Sequence, residues 1–200
     1  LVQLLESGGN PLRQRQALEL LAEASRDGAS RDDFGRELDK LISAKPDHPI
    51  LESLLFYRGQ LALSKKEFAA AEADALTLVK QFPLSPLRVH AQVLLTQSAW
   101  EQGRYRFAAE YSRNAREAMV GPAGSEGNPG AALIPARVRA DFGVLEAEAW
   151  FRAGDFRNAA DAYSAVLRER PAEWEAKRVG ELIFLRVLAE RTIGFADFAG

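Results

Sequence analysis

The chain has no cysteine among its 200 residues, which excludes disulfides, thiolate chemistry and cysteine-ligated zinc. Histidine is almost as scarce. His48 and His90 stand in separate segments with no carboxylate or second imidazole at ligand spacing, so they predict no metal site. His48, between Asp47 and Pro49, reads as a turn residue that caps a helix or faces solvent, and His90 reads as a surface residue. Long apolar runs are missing too. Charged residues interrupt every candidate before the ~18 residues that a membrane span needs. Neither charge sign dominates. A formal net charge of −2 gives no reason to expect nucleic acid or an anionic membrane as a partner.

Catalytic patterns are equally sparse. The glycine-rich stretch 121–130 has neither the lysine nor the helix entry of a nucleotide site. Glu146 and Glu148 could serve acid–base chemistry, but at this spacing they read as solvated carboxylates on a helix face. No catalytic residue, cofactor or metal ligand is expected. The opening Leu1-Val2-Gln3-Leu4-Leu5-Glu6-Ser7-Gly8-Gly9 looks like the first strand of an antibody variable domain, yet the two cysteines and dense short strands of that fold do not follow. It reads instead as a helix tail stopped by Gly8-Gly9. With leucine at position 1, the chain is expected to be a piece or processed form of a longer protein.

What the sequence does contain is one pattern written more than once. Phe68-Ala69-Ala70-Ala71 is echoed by Tyr105-Arg106-Phe107-Ala108, each aromatic three residues before an alanine and the copies 37 positions apart. Pro46 and Pro83 share that offset. Two landmarks with one spacing indicate a stacked repeat. A third copy reads Gly154-Asp155-Phe156, Ala159, Tyr163, Val166, Pro171, and a looser first one offers Phe34, Leu38 and Leu41. The alanine has a steric reason, because helix axes approach to about 8–10 Å only over a small side chain. Ala22, Gly59, Thr96 and Ala147 are the matching small positions on the first helices.

An aromatic after a turn, a small residue three later, an apolar residue seven after that, then proline: this pattern resembles the tetratricopeptide repeat (TPR), whose unit is a pair of antiparallel helices. The resemblance implies an all-α, TPR-like right-handed solenoid. Hairpins are expected over about 11–45, 47–82, 85–120 and 135–171 of a single domain 1–200. Arg58 and Glu146 depart from it, since the family prefers an apolar residue there. A second resemblance is narrower. Leu78-Val79-Lys80-Gln81-Phe82-Pro83-Leu84-Ser85-Pro86 is similar to repeat junctions of BamD/YbgF-type bacterial envelope TPR proteins, which implies envelope assembly.

In order, Asn10-Pro11 caps a helix running to about Arg26, and Ser30 starts the next with an acidic first turn. Asp47 is expected to cap a helix to about Leu63. Glu67 to Gln81 returns antiparallel, and Ser85-Pro86 opens a helix to about Glu101. Glycines and prolines then interrupt the pattern over 121–134, a flexible insertion that is either a solvent loop or a partner-binding, protease-sensitive one. It costs little, because loop-closure entropy grows only logarithmically. Pro135–Ala153 and Phe156–Arg170 form the last hairpin, and a helix over 172–192 follows. That helix is apolar on more than one side, so either a further helix covers it or Ile193–Phe198 folds back over it.

The expected function is a surface. In such solenoids the first helices line a concave groove. Ser53, Phe56, Gln60 and Leu63 share one stripe, as do His90, Val93, Gln97 and Trp100, and Asp141, Val144, Glu148 and Phe151. Leu63, Trp100 and Phe151 would give apolar anchors beside polar Gln60, Gln97 and Glu148, which suits an extended or helical peptide. These residues alternatively pack one repeat on the next. The reading is a non-catalytic, bacterial protein–protein interaction scaffold for a peptide or partner subunit. The rival reading is a docking or regulatory region of a larger enzyme. Cytoplasm and periplasm or cell envelope both stay open, as does oligomeric state.

Overall fold

A computed structural model of the chain describes residues 2–6, 9–26, 28–120 and 134–199, with side chains as far as residue 194. Among them are ten helices and no strand. They are α1 (Val2–Glu6), α2 (Pro11–Ala24), α3 (Gly28–Ala44), α4 (Leu51–Ser64), α5 (Phe68–Gln81), α6 (Arg88–Glu101), α7 (Tyr105–Val120), α8 (Ala136–Arg152), α9 (Phe156–Glu169) and α10 (Ala176–Ala199). The insertion expected over 121–134 lies, except for its last residue, outside the described residues. The chain groups into two compact units, Leu1–Leu94 and Leu95–Gly200.

The repeat is visible in the element bounds. Phe68, Tyr105 and Phe156 are each the first residue of a second helix, and α4, α6 and α8 each end four residues before it. The turns between are the same turn three times. Lys66, Gly103 and Gly154 all adopt positive φ, at 62°, 68° and 76°. At each, two backbone bonds close the preceding helix. The N–H of Glu67 donates to the Ala62 carbonyl (2.8 Å), and that of Lys66 to Leu63 (3.0 Å). Arg104 to Ala99 and Asp155 to Trp150 repeat the longer bond at 2.9 and 3.0 Å. This is the Schellman stop, which reuses otherwise orphaned carbonyls and places glycine at the left-handed position.

In unit 1, α4 and α5 pack along their lengths, whereas α2 touches α3 only slightly and α3 packs more on α4. The close approach of α4 and α5 runs over Gly59, where an added Cβ would meet the Leu94 side chain at 3.3 Å and the Ala71 carbonyl at 3.5 Å. Ala71, Ala75 and Leu78 are fully buried beneath it. A second cluster joins Leu5 of α1, Leu18 of α2, Phe34, Leu38 and Leu41 of α3 and Leu54 of α4. Asn10 caps α2 as expected, its Oδ1 accepting from the Leu12 N–H at 2.8 Å.

Several local expectations are corrected here. Of the two roles expected for His48, its burial excludes the solvent-facing one and its bond to the residue before α4 supports the capping one. Its Nδ1 accepts from the Ile50 N–H (3.3 Å), so the ring proton sits on Nε2 and is donated to the Leu5 carbonyl at 2.9 Å. The imidazole thereby takes the turn role expected of Asp47 and ties down the end of α1. Gln14 Nε2 donates to the same carbonyl at 3.3 Å. Ser30 lies inside α3, which starts at Gly28, and α6 starts at Arg88 after a turn in which Ser85 Oγ accepts from the Leu87 N–H (3.0 Å).

In unit 2, α7, α8, α9 and α10 pack in succession, each on the next. Ala99, Ala108, Ala109, Ala147, Ala149 and Ala159 are fully buried at its centre, with Tyr163 and Val166 filling the space around them. Gly143 is held to glycine by proximity, because a Cβ there would stand 2.5 Å from Val166 Cγ2. Trp174 enters the same core, and its backbone N–H donates to the Pro171 carbonyl at 3.2 Å in the turn before the last helix. This delays α10 to Ala176, later than expected. The fold-back of Ile193–Phe198 is overturned, since α10 is one continuous helix of 24 residues to Ala199. No proline interrupts it, and Gly180 and Gly194 each cost only about 1 kcal/mol in a helix interior.

Lys66 is the one repeated turn position that carries a side chain into the left-handed region, at a cost of about 1–2 kcal/mol. Lys66→Gly is therefore expected to raise the urea midpoint by about 1 kcal/mol of stability, and Gly103→Ala and Gly154→Ala to lower it comparably. A lower midpoint for Lys66→Gly would show that the shared turn is not what closes these hairpins.

Candidate protein-binding faces

In unit 1 a row of rings runs from α6 across α4 to α3. His90 lies edge-on to Phe56 at 5.8 Å, Phe56 to Tyr57 at 5.5 Å, and Tyr57 to Phe34 at 6.5 Å. Two clefts flank Tyr57 and share it with Glu19. One, of about 200 Å³, is lined by Arg15, Glu52, Ser53, Phe56, Pro86 and Leu87. The other, of about 470 Å³, is lined by Ala22, Glu23, Arg31, Phe34, Gln60 and Ser64. Arg15 is paired with Glu52 at 2.8 Å, and Glu23 with Arg26. Burial, then the Glu19 carboxylate, pushes the Tyr57 hydroxyl up from its ordinary pKa. These clefts can receive side chains of an apposed segment. The smaller cleft has largely apolar walls, whereas the larger is lined mainly by charged and polar side chains.

The sequence-predicted residues fall unevenly on this face. Phe56 is buried, Gln60 and His90 are exposed, and Leu63 and Val93 are half-buried and line neither cleft. Tyr57, Glu19 and Arg15 were not anticipated. Tyr57 directly follows a predicted stripe residue, and α2 belongs to the loosest copy of the repeat, so its register carried no signal.

In unit 2, Gln97 is exposed, while Trp100, Val144, Glu148 and Phe151 are half-buried, and the apolar three pack on the core. Trp100 lies edge-on to Tyr105 at 5.4 Å, and Phe151 to Phe156 at 5.2 Å, so each closes its own hairpin against the aromatic five residues later. The Arg152 guanidinium sits 5.0 Å over Trp100 and 5.7 Å over Tyr105. Such a stacked cation can exchange for a partner's. Glu148 lies close enough to Tyr163 to act on its pKa. Burial first, then Glu148, pushes that phenol up to about 12, with Arg152 opposing.

Two further clefts are polar. One, of about 580 Å³ between α3, α4 and α5, is crossed by Lys65–Asp32 (2.5 Å), Arg58–Asp39 (3.0 Å) and a two-pronged Arg58–Asp74 pair (2.6 and 2.8 Å). The Asp74 bond chiefly raises the Arg58 pKa. The other, of about 370 Å³, surrounds Glu146. That carboxylate is buried, which corrects the solvated reading. Arg113 Nε donates to one oxygen at 2.8 Å and Arg116 to the other at 2.7 Å. Arg58 and Glu146 thus keep the repeat frame by pairing with a neighbouring second helix, α5 and α7 respectively. Among the described residues no cluster of histidine, aspartate and glutamate could hold a metal ion.

Solved structures share this helical fold. One, titled "MamA RS-1 ArsTM double mutant", aligns with 89% of this chain and 95% of its own, at a TM-score of 0.55 and 14% identity. MamA contains TPR repeats. The fold is TPR-like. At that identity the likeness speaks to the fold alone. No protein-family model matches the chain, and no curated protein matches it. No helix among the described residues is long and apolar enough to cross a membrane.

Tyr163 gives a pH signature. Its folded pKa of about 12 exceeds the unfolded value near 10, so its contribution is complete below about pH 10 and is lost as pH rises toward 12. Denaturation midpoints measured over this window should fall more steeply for the native chain than for Tyr163→Phe. Parallel curves would mean that the phenol is not desolvated.

Proposed function

We propose that the chain is a non-catalytic interaction scaffold that binds a peptide or partner subunit on its first-helix faces. The paired clefts on either side of Tyr57 carry this reading, because they offer adjoining receptacles for two side chains over a wall of rings. The clefts share Tyr57 and Glu19, so neighbouring side chains of one bound segment would enter separate clefts. The buried carboxylates Asp74 and Glu146 are each neutralised by guanidinium groups, which suits a structural role better than proton transfer. Phe56, Gln60, Leu63, His90 and Val93 belong to the proposed surface in unit 1. Gln97, Trp100, Val144, Glu148 and Phe151 belong to that in unit 2. Within these sets, exposed Gln60, His90 and Gln97 are the positions that touch a partner first.

The finer form of the proposal places the scaffold in bacterial envelope assembly, on the strength of the Phe82–Pro86 junction. There Ser85 is buried, and its Oγ accepts from the Leu87 N–H in the turn that leads to α6.

The test separates binding from folding. Glu19→Lys with Gln60→Lys changes two exposed side chains, so stability should move by no more than about 0.5 kcal/mol. Capture of partners from an extract of the source cells should fall severalfold relative to the native chain. Undiminished capture by this folded variant would remove the unit 1 face from the proposal.

A further inference from the structure

The outer side of α10 carries an apolar patch. Leu182 and Ala189 face the core, with Val179 and Leu185 packed beside them. On the opposite side Phe184 is 65% exposed, and Ile183, Val187 and Leu188 are 43%, 38% and 38% exposed. Residues of this size at consecutive helical turns make a continuous strip, which soluble proteins rarely leave uncovered.

The strip has an internal order. Lys177, Gly180, Phe184, Val187, Arg191 and Gly194 follow at alternating steps of three and four, and all six are exposed. That is the seam spacing of helices that pack side by side. Nothing among the described residues requires glycine at 180 or 194. Neither has positive φ, and a Cβ at either would meet nothing within 4 Å.

We propose that α10 pairs antiparallel with α10 of a second copy, about a two-fold axis passing between the levels of Phe184 and Val187. This pairing makes the seam complementary to itself. Phe184 falls against the partner's Val187, while Ile183 lies beside the partner's Ile183 on one flank of the seam and Leu188 beside the partner's Leu188 on the other. Each long cation falls opposite a glycine: Arg191 over the partner's Gly180, and Lys177 over the partner's Gly194. Glu181 adjoins Gly180, so Arg191 reaches the partner's Glu181, and the two-fold forms that pair twice. Neither Glu181 nor Arg191 has a partner among the described residues of its own chain. A two-fold contact of one patch with itself is the commonest route to a closed dimer. A helix of 24 residues is about 36 Å long, so the contact is smaller than a standard interface and the dimer is a weak one. This pairing is independent of the proposed binding faces on the first helices.

Sedimentation equilibrium of the 200-residue chain should show a reversible monomer–dimer system. Phe184→Glu should weaken it on the order of tenfold or more. Arg191→Glu should weaken it too, and adding Glu181→Arg to that variant should restore it. The chain has no cysteine, so single cysteines report the register cleanly. Gly180→Cys mixed with Arg191→Cys should cross-link faster than either variant alone. A monomer up to about 200 µM, failure of the charge swap to restore pairing, or preferential cross-linking of like positions would overturn the proposal.

Discussion

Two helices can lie flat against each other only where their facing residues are small, and this constraint governs the hairpins of this protein. Ala71, Ala108 and Ala159 are fully buried at equivalent places on the second helices, and Thr96 and Ala147 on the first helices are nearly or wholly inaccessible. Gly59 completes the series with the Ala71 backbone 3.5 Å from where its Cβ would be. Larger residues could be fitted only by separating the helices and uncovering the leucines and aromatics at their edges. Close packing of this kind tolerates little added volume.

The aromatic that opens each second helix follows from the same approach. Trp100 against Tyr105 and Phe151 against Phe156 seal the end of the hairpin beside the left-handed turn, where the chain must reverse within three residues. Where the usual apolar neighbour of the small position is replaced by charge, an ion pair with a neighbouring second helix maintains the register. Burying Asp74 and Glu146 in this way is weak evidence for added stability, because desolvation offsets much of the attraction. It does make the pairing partner specific.

Most of this was legible in the residues because it is periodic. The offset between Phe68 and Tyr105 placed two hairpins to within a few residues, and Gly154-Asp155-Phe156 placed the third. The remainder depended on contacts far apart in sequence. Nothing near His48 announces that its ring will meet the carbonyl of Leu5, and nothing near Glu146 announces two arginines on α7. The anticipated binding stripe was similarly mixed. Period alone cannot distinguish a residue that faces a partner from one that seals a hairpin, so Trp100 and Phe151 carried both readings while Tyr57 and Glu19 carried neither.

The direct measurement of the packing constraint is equilibrium unfolding of Ala71→Leu, Ala108→Leu and Ala159→Leu, followed by helical circular dichroism. Overpacking at each site should lower stability by about 1–3 kcal/mol or more, with similar losses at the three equivalent positions. Stability unchanged at all three, with native helicity, would contradict the claim that close approach over these alanines holds the hairpins together.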